Sequence, residues 1–245
     1  MKAQSRSINK TPLSNLGHTM TRRAANKCLF ILVAGILALS TPGIAMAQLS
    51  LTASIGGIPT VSGATLLNFD GSAPAILTLS SGAYLVTGDV NALSQSPYFS
   101  GSTAAYFGET PASGYDLSQY VAVTTGATAT FTFASPQNYF GLLVGSIDPG
   151  NSLTFYDSAN AVIGTVTGND IASIPPITLG DAGPNGTAYV NISSTISFSK
   201  VVANSSNISF EFDDVAFAAV PEPASLALLG AGLLILHFGS RRKTV

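Results

Sequence analysis

The chain has 245 residues, 46% of them hydrophobic and only 9% charged, with a formal net charge of −2. That charge is segregated: six of the ten Lys and Arg precede Cys28 and three are Arg241, Arg242 and Lys243. Residues 48–219 therefore keep Lys200 alone against eleven carboxylates, about −10 at neutral pH, and hold no His, Cys, Arg or Trp. Ser-His-Asp and Cys-His catalysis, Cys or His zinc sites and disulfides are excluded there, and so acidic a surface makes nucleic acid an unfavourable partner.

At the N-terminus Arg22, Arg23 and Lys27 form a positive region ahead of an apolar run, Leu29 to Leu39. Pro42 and Gly43 follow, then Ala45-Met46-Ala47, a small-x-small cleavage pattern with Gln48 as the expected new N-terminus. Residues 1–47 thus read as a signal peptide, handled by the Sec translocon and signal peptidase. Translation from Met20 would give a signal of ordinary length. Thr21-Arg22-Arg23 also has a twin-arginine look, but Ala25 and Asn26 stand where apolar residues are expected. Cys28 precedes the apolar run without a lipobox and reads as incidental.

From Leu51 onward apolar residues recur at period two between Gly, Asn, Asp, Ser and Pro. Ala127, Ala129, Phe131 and Phe133 alternate with threonines; Leu153 and Phe155 with Thr154 and Tyr156; Ala188, Val190 and Ile192 with Tyr189, Asn191 and Ser193. Each run predicts a strand with one buried and one wet face. Weaker strand signals cover 61–69, 75–79, 84–87, 120–124, 161–166 and 196–202. Helical periodicity is lacking. The expected fold of 48–219 is an antiparallel, jelly-roll-like β-sandwich, all-β and acidic.

Residues 139–145 read as a central strand, Asp148-Pro149-Gly150-Asn151 as a type II turn and 151–156 as the returning strand of a hairpin. Asp148 and Asn151 are the weak candidates for a calcium site, though the turn chemistry accounts for both. In the last strand Ile208, Phe210 and Phe212 share one parity and Val215 and Phe217 the other. A bulge at Asp213-Asp214 would restore the register. Adjacent aspartates on a strand point to opposite faces, so they are poorly placed to flank one glycosidic bond.

After Val220 come Pro221-Glu222-Pro223, an apolar stretch from Ala224 to Phe238, and Arg241-Arg242-Lys243. The two prolines keep the chain extended, so a single transmembrane helix is expected to start after Pro223. Fifteen residues rise only about 22 Å, short of the roughly 30 Å hydrocarbon core, so the arginines must snorkel. The basic anchor stays cytoplasmic by the positive-inside rule and places the β domain outside.

This combination in 220–245 resembles the PEP-CTERM sorting signal. The resemblance implies that an exosortase-type membrane protease recognises Pro221, Glu222 and Pro223 and processes the protein near them. The text YFGLLVGSIDPGNSLTFYD (139–157) and the Phe-x-Phe-Asp-Asp-Val strand (210–215) running into Val-Pro-Glu-Pro are similar to segments of exosortase-dependent surface proteins.

The expected function is a non-enzymatic surface or extracellular-matrix component without a catalytic residue or cofactor. It would pass through a membrane-anchored intermediate to the cell surface or medium. The alternative is a glycan-binding module, calcium-dependent or not, that meets extracellular polysaccharide through tyrosines such as Tyr98, Tyr106, Tyr115 and Tyr120. An enzyme would need a carboxylate pair such as Glu109 with Asp116 as acid and base, and nothing in the spacing requires it.

Overall fold

The computed structural model describes residues 49–90, 93–207, 209–219 and 232–233. The signal region with Ala45, Ala47 and Gln48, the motif Pro221-Glu222-Pro223 and the basic anchor Arg241-Arg242-Lys243 lie outside the described residues. So does all but two residues of the expected transmembrane helix. No helix among the described residues is long and apolar enough to cross a membrane.

The described chain is mostly β, and its strands pair antiparallel in a sandwich-like arrangement. In chain order the strands are β1 (Leu49–Ser54), β2 (Thr65–Leu67), β3 (Leu77–Leu79), β4 (Ala83–Thr87), β5 (Tyr98–Phe99), β6 (Gly114–Tyr115), β7 (Gln119–Val123), β8 (Thr128–Gly145), β9 (Asn151–Tyr156), β10 (Val162–Thr167), β11 (Ala188–Ser205) and β12 (Phe210–Ala218). Two five-residue helices interrupt them, α1 (Thr103–Phe107) and α2 (Gly168–Ala172). The main sheet runs β10-β9-β11-β8-β12-β7-β4, with β1, β2 and β3 attached to β11, β12 and β8. β5 and β6 form a separate ribbon.

Two pairs of predicted strands prove to be single long ones. Residues 128–133 and 139–145 merge into the 18-residue β8, and 188–193 and 196–202 into the 18-residue β11. The long strands change partners midway. β8 pairs with β3 at 129–131 and with β11 and β12 at 137–145, and the β8–β11 register shifts between Ser193 and Phe198. One strand can serve two layers because a bulge lets it bend without losing its ladder.

The predicted hairpin is absent. β9 does not pair with β8; β11 lies between them, bonded to β8 by its first half and to β9 by its second. The turn itself forms, Asn151 N–H donating to Asp148 O at 3.0 Å, but Gly150 is not among the residues with positive φ. A type II turn requires positive φ at that position, so the turn is not type II. A sharp turn leads into a hairpin only if the place beside the first strand is free, and here β11 takes it.

One aromatic-rich core joins the layers. Phe140 lies 5.2 Å from the ring of Phe131 and 6.1 Å from that of Phe155, and Phe155 lies 5.1 Å from Phe198. All four are fully buried, each such side chain stabilising the fold by about 1.5–3 kcal/mol through burial.

The expectation of one wet face holds for β9 and for the first half of β8, whose residues alternate buried and accessible. It fails for the central sheet. In 139–145, 188–192 and 210–216 every residue is buried, including Tyr189 and Asn191. The segment 93–118, carrying β5, α1 and β6, lies over the outer face there. Phe99 and Ala104 pack against Leu143 and Tyr189 in a small second core. Gly56 and Gly101 make that packing close: both have positive φ, and a Cβ on Gly101 would stand 2.8 Å from Gly56 O. Only glycine accepts both constraints without strain.

Candidate functional site

Covering the sheet's outer face buries the carboxylates of β12. Phe210 and Phe212 point into the aromatic core, so Glu211 and Asp213 point outward, beneath 93–118. Two acidic sites result, one at Glu211 and one at the bulge itself.

The first is an open cavity of about 430 Å³ bordered by Val90, Leu93, Gln95, Asp148, Asn207 and Glu211. Glu211 Oε1 accepts from Ser209 Oγ and, at 3.3 Å, from Gln95 N–H, while Oε2 has no hydrogen-bond partner. Burial pushes its pKa up to about 7, against the lowering effect of those hydrogen bonds and with a further push from Asp148. Burial likewise raises Asp148, whose Oδ2 also has no hydrogen-bond partner. Asn151, the other calcium candidate, is committed to the local fold. Its Oδ1 accepts from Asp148 N–H at 2.8 Å and its Nδ2 donates to Ser209 O at 3.4 Å. The turn and the strand start thus use Asn151, while the Asp148 carboxylate is left to face the cavity.

The second site gathers acids from three distant segments. The expected bulge is present: β12 advances three residues from Asp213 to Ala216 while β8 retreats two, from Leu143 to Gly141, and Asp214 has φ 53°. Both aspartates are fully buried, which parity alone does not suggest. Asp213 Oδ1 accepts from Asp214 N–H at 2.7 Å, and Ser118 Oγ bonds Asp116 and reaches Asp213 Oδ2 at 3.5 Å. Glu109 and Asp70 adjoin them, linked by Asn68, whose Nδ2 lies 3.0 Å from Glu109 Oε1 and 3.5 Å from Asp70 Oδ2.

Burial raises Asp213 well above the carboxylate range, aided by its neighbours Asp214 and Asp116. Asp214 is pushed to about 9 by burial and then by Glu109, Asp116 and Asp70. Glu109 is raised by burial and by Asp70 and Asp116, against the Asn68 hydrogen bond. Glu109 and Asp116 therefore do come together, as members of a crowded acidic cluster. Sequence patterning misses this cluster because Asp70, Glu109 and Asp116 sit in irregular segments. The one local signal is Asp-Asp at a parity break.

The tyrosines divide. Tyr106 and Tyr115 are exposed, Tyr115 standing edge-on to Tyr98 across the β5–β6 ribbon at 5.2 Å. Tyr120 is buried, its hydroxyl donating to Gly88 O at 2.9 Å and bonded to Ser94 at 3.0 Å, so it offers no platform for a sugar. Tyr139 and Tyr189 are buried too, tied to Asn191 Oδ1 at 2.5 Å and to Asp214 O at 3.1 Å respectively. Lys200 lies over the Tyr156 ring and bonds Asn160.

No curated protein matches the chain. Among solved structures the chain is similar to the K2 cleaved adhesin domain of Lys-gingipain, at 13% identity and TM-score 0.36, covering 64% of this chain and 99% of that one. It is also similar to carbohydrate-binding module CBM6cm-2 from Cellvibrio mixtus lichenase 5A, solved with cellotriose, at 14% identity and TM-score 0.32 over 59% of this chain and 91% of that one. A family 6 carbohydrate-binding module gives 16% identity and TM-score 0.32 over 64% and 94%. Residues 219–243, directly after β12, match the PEP-CTERM protein-sorting motif, so the chain carries that motif behind its β domain.

Proposed function

We propose that this protein is exported through its N-terminal signal, held briefly in the membrane by its C-terminal segment, and sorted at Pro221-Glu222-Pro223 by an exosortase-type protease. The β domain then serves as a non-enzymatic component of the cell surface or extracellular matrix. The sorting-motif match at 219–243 carries this reading. β12 ends at Ala218, so only Ala219 and Val220 separate the folded domain from the motif. The domain would therefore stand against the membrane until processing. A jelly-roll topology agrees with the late strands being inserted between consecutive earlier ones, β11 between β8 and β9 and β12 between β7 and β8.

The test is the mature protein's termini, measured by intact mass in envelope and medium fractions. A start at Gln48 with loss of the chain beyond the motif supports the proposal. A membrane-bound product ending at Val245 sinks the sorting step and leaves a tail-anchored domain.

The second reading is glycan binding, favoured by the open cavity at Glu211 and Asp148. Its hydroxyl and amide lining suits a hydroxyl-rich ligand. Calorimetric titration with cell-surface polysaccharide decides it: heat that disappears in Asn207→Ala supports the cavity, and no heat at millimolar sugar rejects it.

A further inference from the structure

The open cavity at Glu211 brings two carboxyl groups to one space and nothing to neutralise them. Glu211 and Asp148 are 3% and 7% exposed and border the same 430 Å³, one from β12 and one from the turn after β8. Each keeps one oxygen, Glu211 Oε2 and Asp148 Oδ2, without a hydrogen-bond donor among the described residues. No basic side chain among the described residues borders the cavity; Lys200 is engaged with Tyr156 and Asn160. The rest of the wall is neutral, with the amides of Gln95 and Asn207 on it beside the apolar Val90 and Leu93. Ser146, also on the wall, has a φ of 43°, a left-handed conformation that strains a serine and collects at ligand sites. The two free oxygens are shielded where they lie. The last torsion of an Asp or Glu side chain is broad and two-fold, so a small rotation turns them to the cavity.

We propose that this cavity binds an amino sugar with a free primary amine, its ammonium set between Glu211 and Asp148 and its ring against Val90 and Leu93. The proposal rests on the glycan-binding reading and names the class of glycan. An ammonium carries three donors and no acceptor, which suits two carboxylates that each lack a donor. The sugar's C–H face suits the apolar wall, and its hydroxyls suit the Gln95 and Asn207 amides. An acidic sugar would bring a third negative charge to the pair and is disfavoured. An N-acetylated sugar loses both the charge and two of the donors.

The test is calorimetric titration of the purified full chain in detergent with the methyl glycosides of glucosamine, N-acetylglucosamine and glucose. It is run at neutral pH and about 0.15 M salt, which screens the domain's diffuse negative field. The glucosaminide should bind at least about tenfold more tightly than the other two. Burial keeps part of Glu211 protonated near pH 7, and Glu211→Gln reproduces that neutral form, so the variant reads the charge itself. It should lose the preference for the amine, whereas Asp157→Asn, which removes an equal charge outside the cavity, should keep it. If Glu211→Gln does not fold, Asp148→Asn takes its place. Equal affinity for the three glycosides overturns the amine proposal and leaves glycan binding standing; no binding of any at millimolar concentration overturns both. A preference that survives in Glu211→Gln and Asp148→Asn, or that falls equally in Asp157→Asn, also overturns the site.

Discussion

Asp148 faces a cavity with one oxygen unpartnered, and burial holds its pKa above the ordinary carboxylate value. Its folded pKa exceeds its unfolded one, so its stabilising contribution is complete below the ordinary carboxylate range. That contribution is lost as pH rises through the folded value. Asp148→Asn removes the titration while keeping the shape. Its thermal midpoint should fall less than the wild type's between about pH 4 and 8, and parallel curves would refute this. Phe140 makes the complementary case. It touches the rings of Phe131, Phe133 and Phe155 and is fully buried, so Phe140→Ala should cost about 3–5 kcal/mol in denaturant unfolding. A loss below about 1 kcal/mol would mean the surrounding rings collapse into the gap.

At the scale of elements, the contact between Gly56 and Gly101 decides whether 93–118 can lie on the sheet. Ser102 N–H donates to Gly56 O at 3.1 Å and Thr103 Oγ1 to Gly57 O at 2.6 Å, so the covering segment is hydrogen-bonded as well as packed. Gly101→Ala combines a strained φ of 54° with a clash, and about 1–3 kcal/mol should be lost. Gly88→Ala has a φ of 66° but open space around it, so it should cost less and leave hydrogen exchange at Ser102 and Tyr106 unchanged. Equal losses in the two variants would show that φ strain alone matters. The bulge at Asp213-Asp214 was legible from parity because register is a local count along one strand. The missing β8–β9 hairpin was not, because a turn's residues dictate its sharpness and not which layer receives the next strand.

For the whole molecule the sorting tail sets destination and the β domain sets what arrives. Replacing Pro221, Glu222 and Pro223 together by Ala should leave the domain's thermal midpoint within about 1 °C, since the three residues follow Ala218, where the last strand of the domain ends. The same variant should accumulate unprocessed in the membrane fraction. Normal release would show that the motif is not what the processing enzyme reads.

The sequence by itself determined the properties that live in short stretches of chain. These are the segregation of basic residues to the ends, the sorting motif at 219–243, the period-two strands and the bulge near the end of β12. Each follows from composition, spacing or local backbone geometry and needs no distant partner. Tertiary structure alone decided that β11 divides β8 from β9, that 93–118 covers the central sheet, and that Tyr120 is interior rather than displayed. It alone also brought Asp70, Glu109 and Asp116 to Asp213 and Asp214. The physical reason is that alternation states which residues share a face but not what covers it. A polar face under water and one under another segment have the same period, yet only the second buries carboxylates and raises their pKa values.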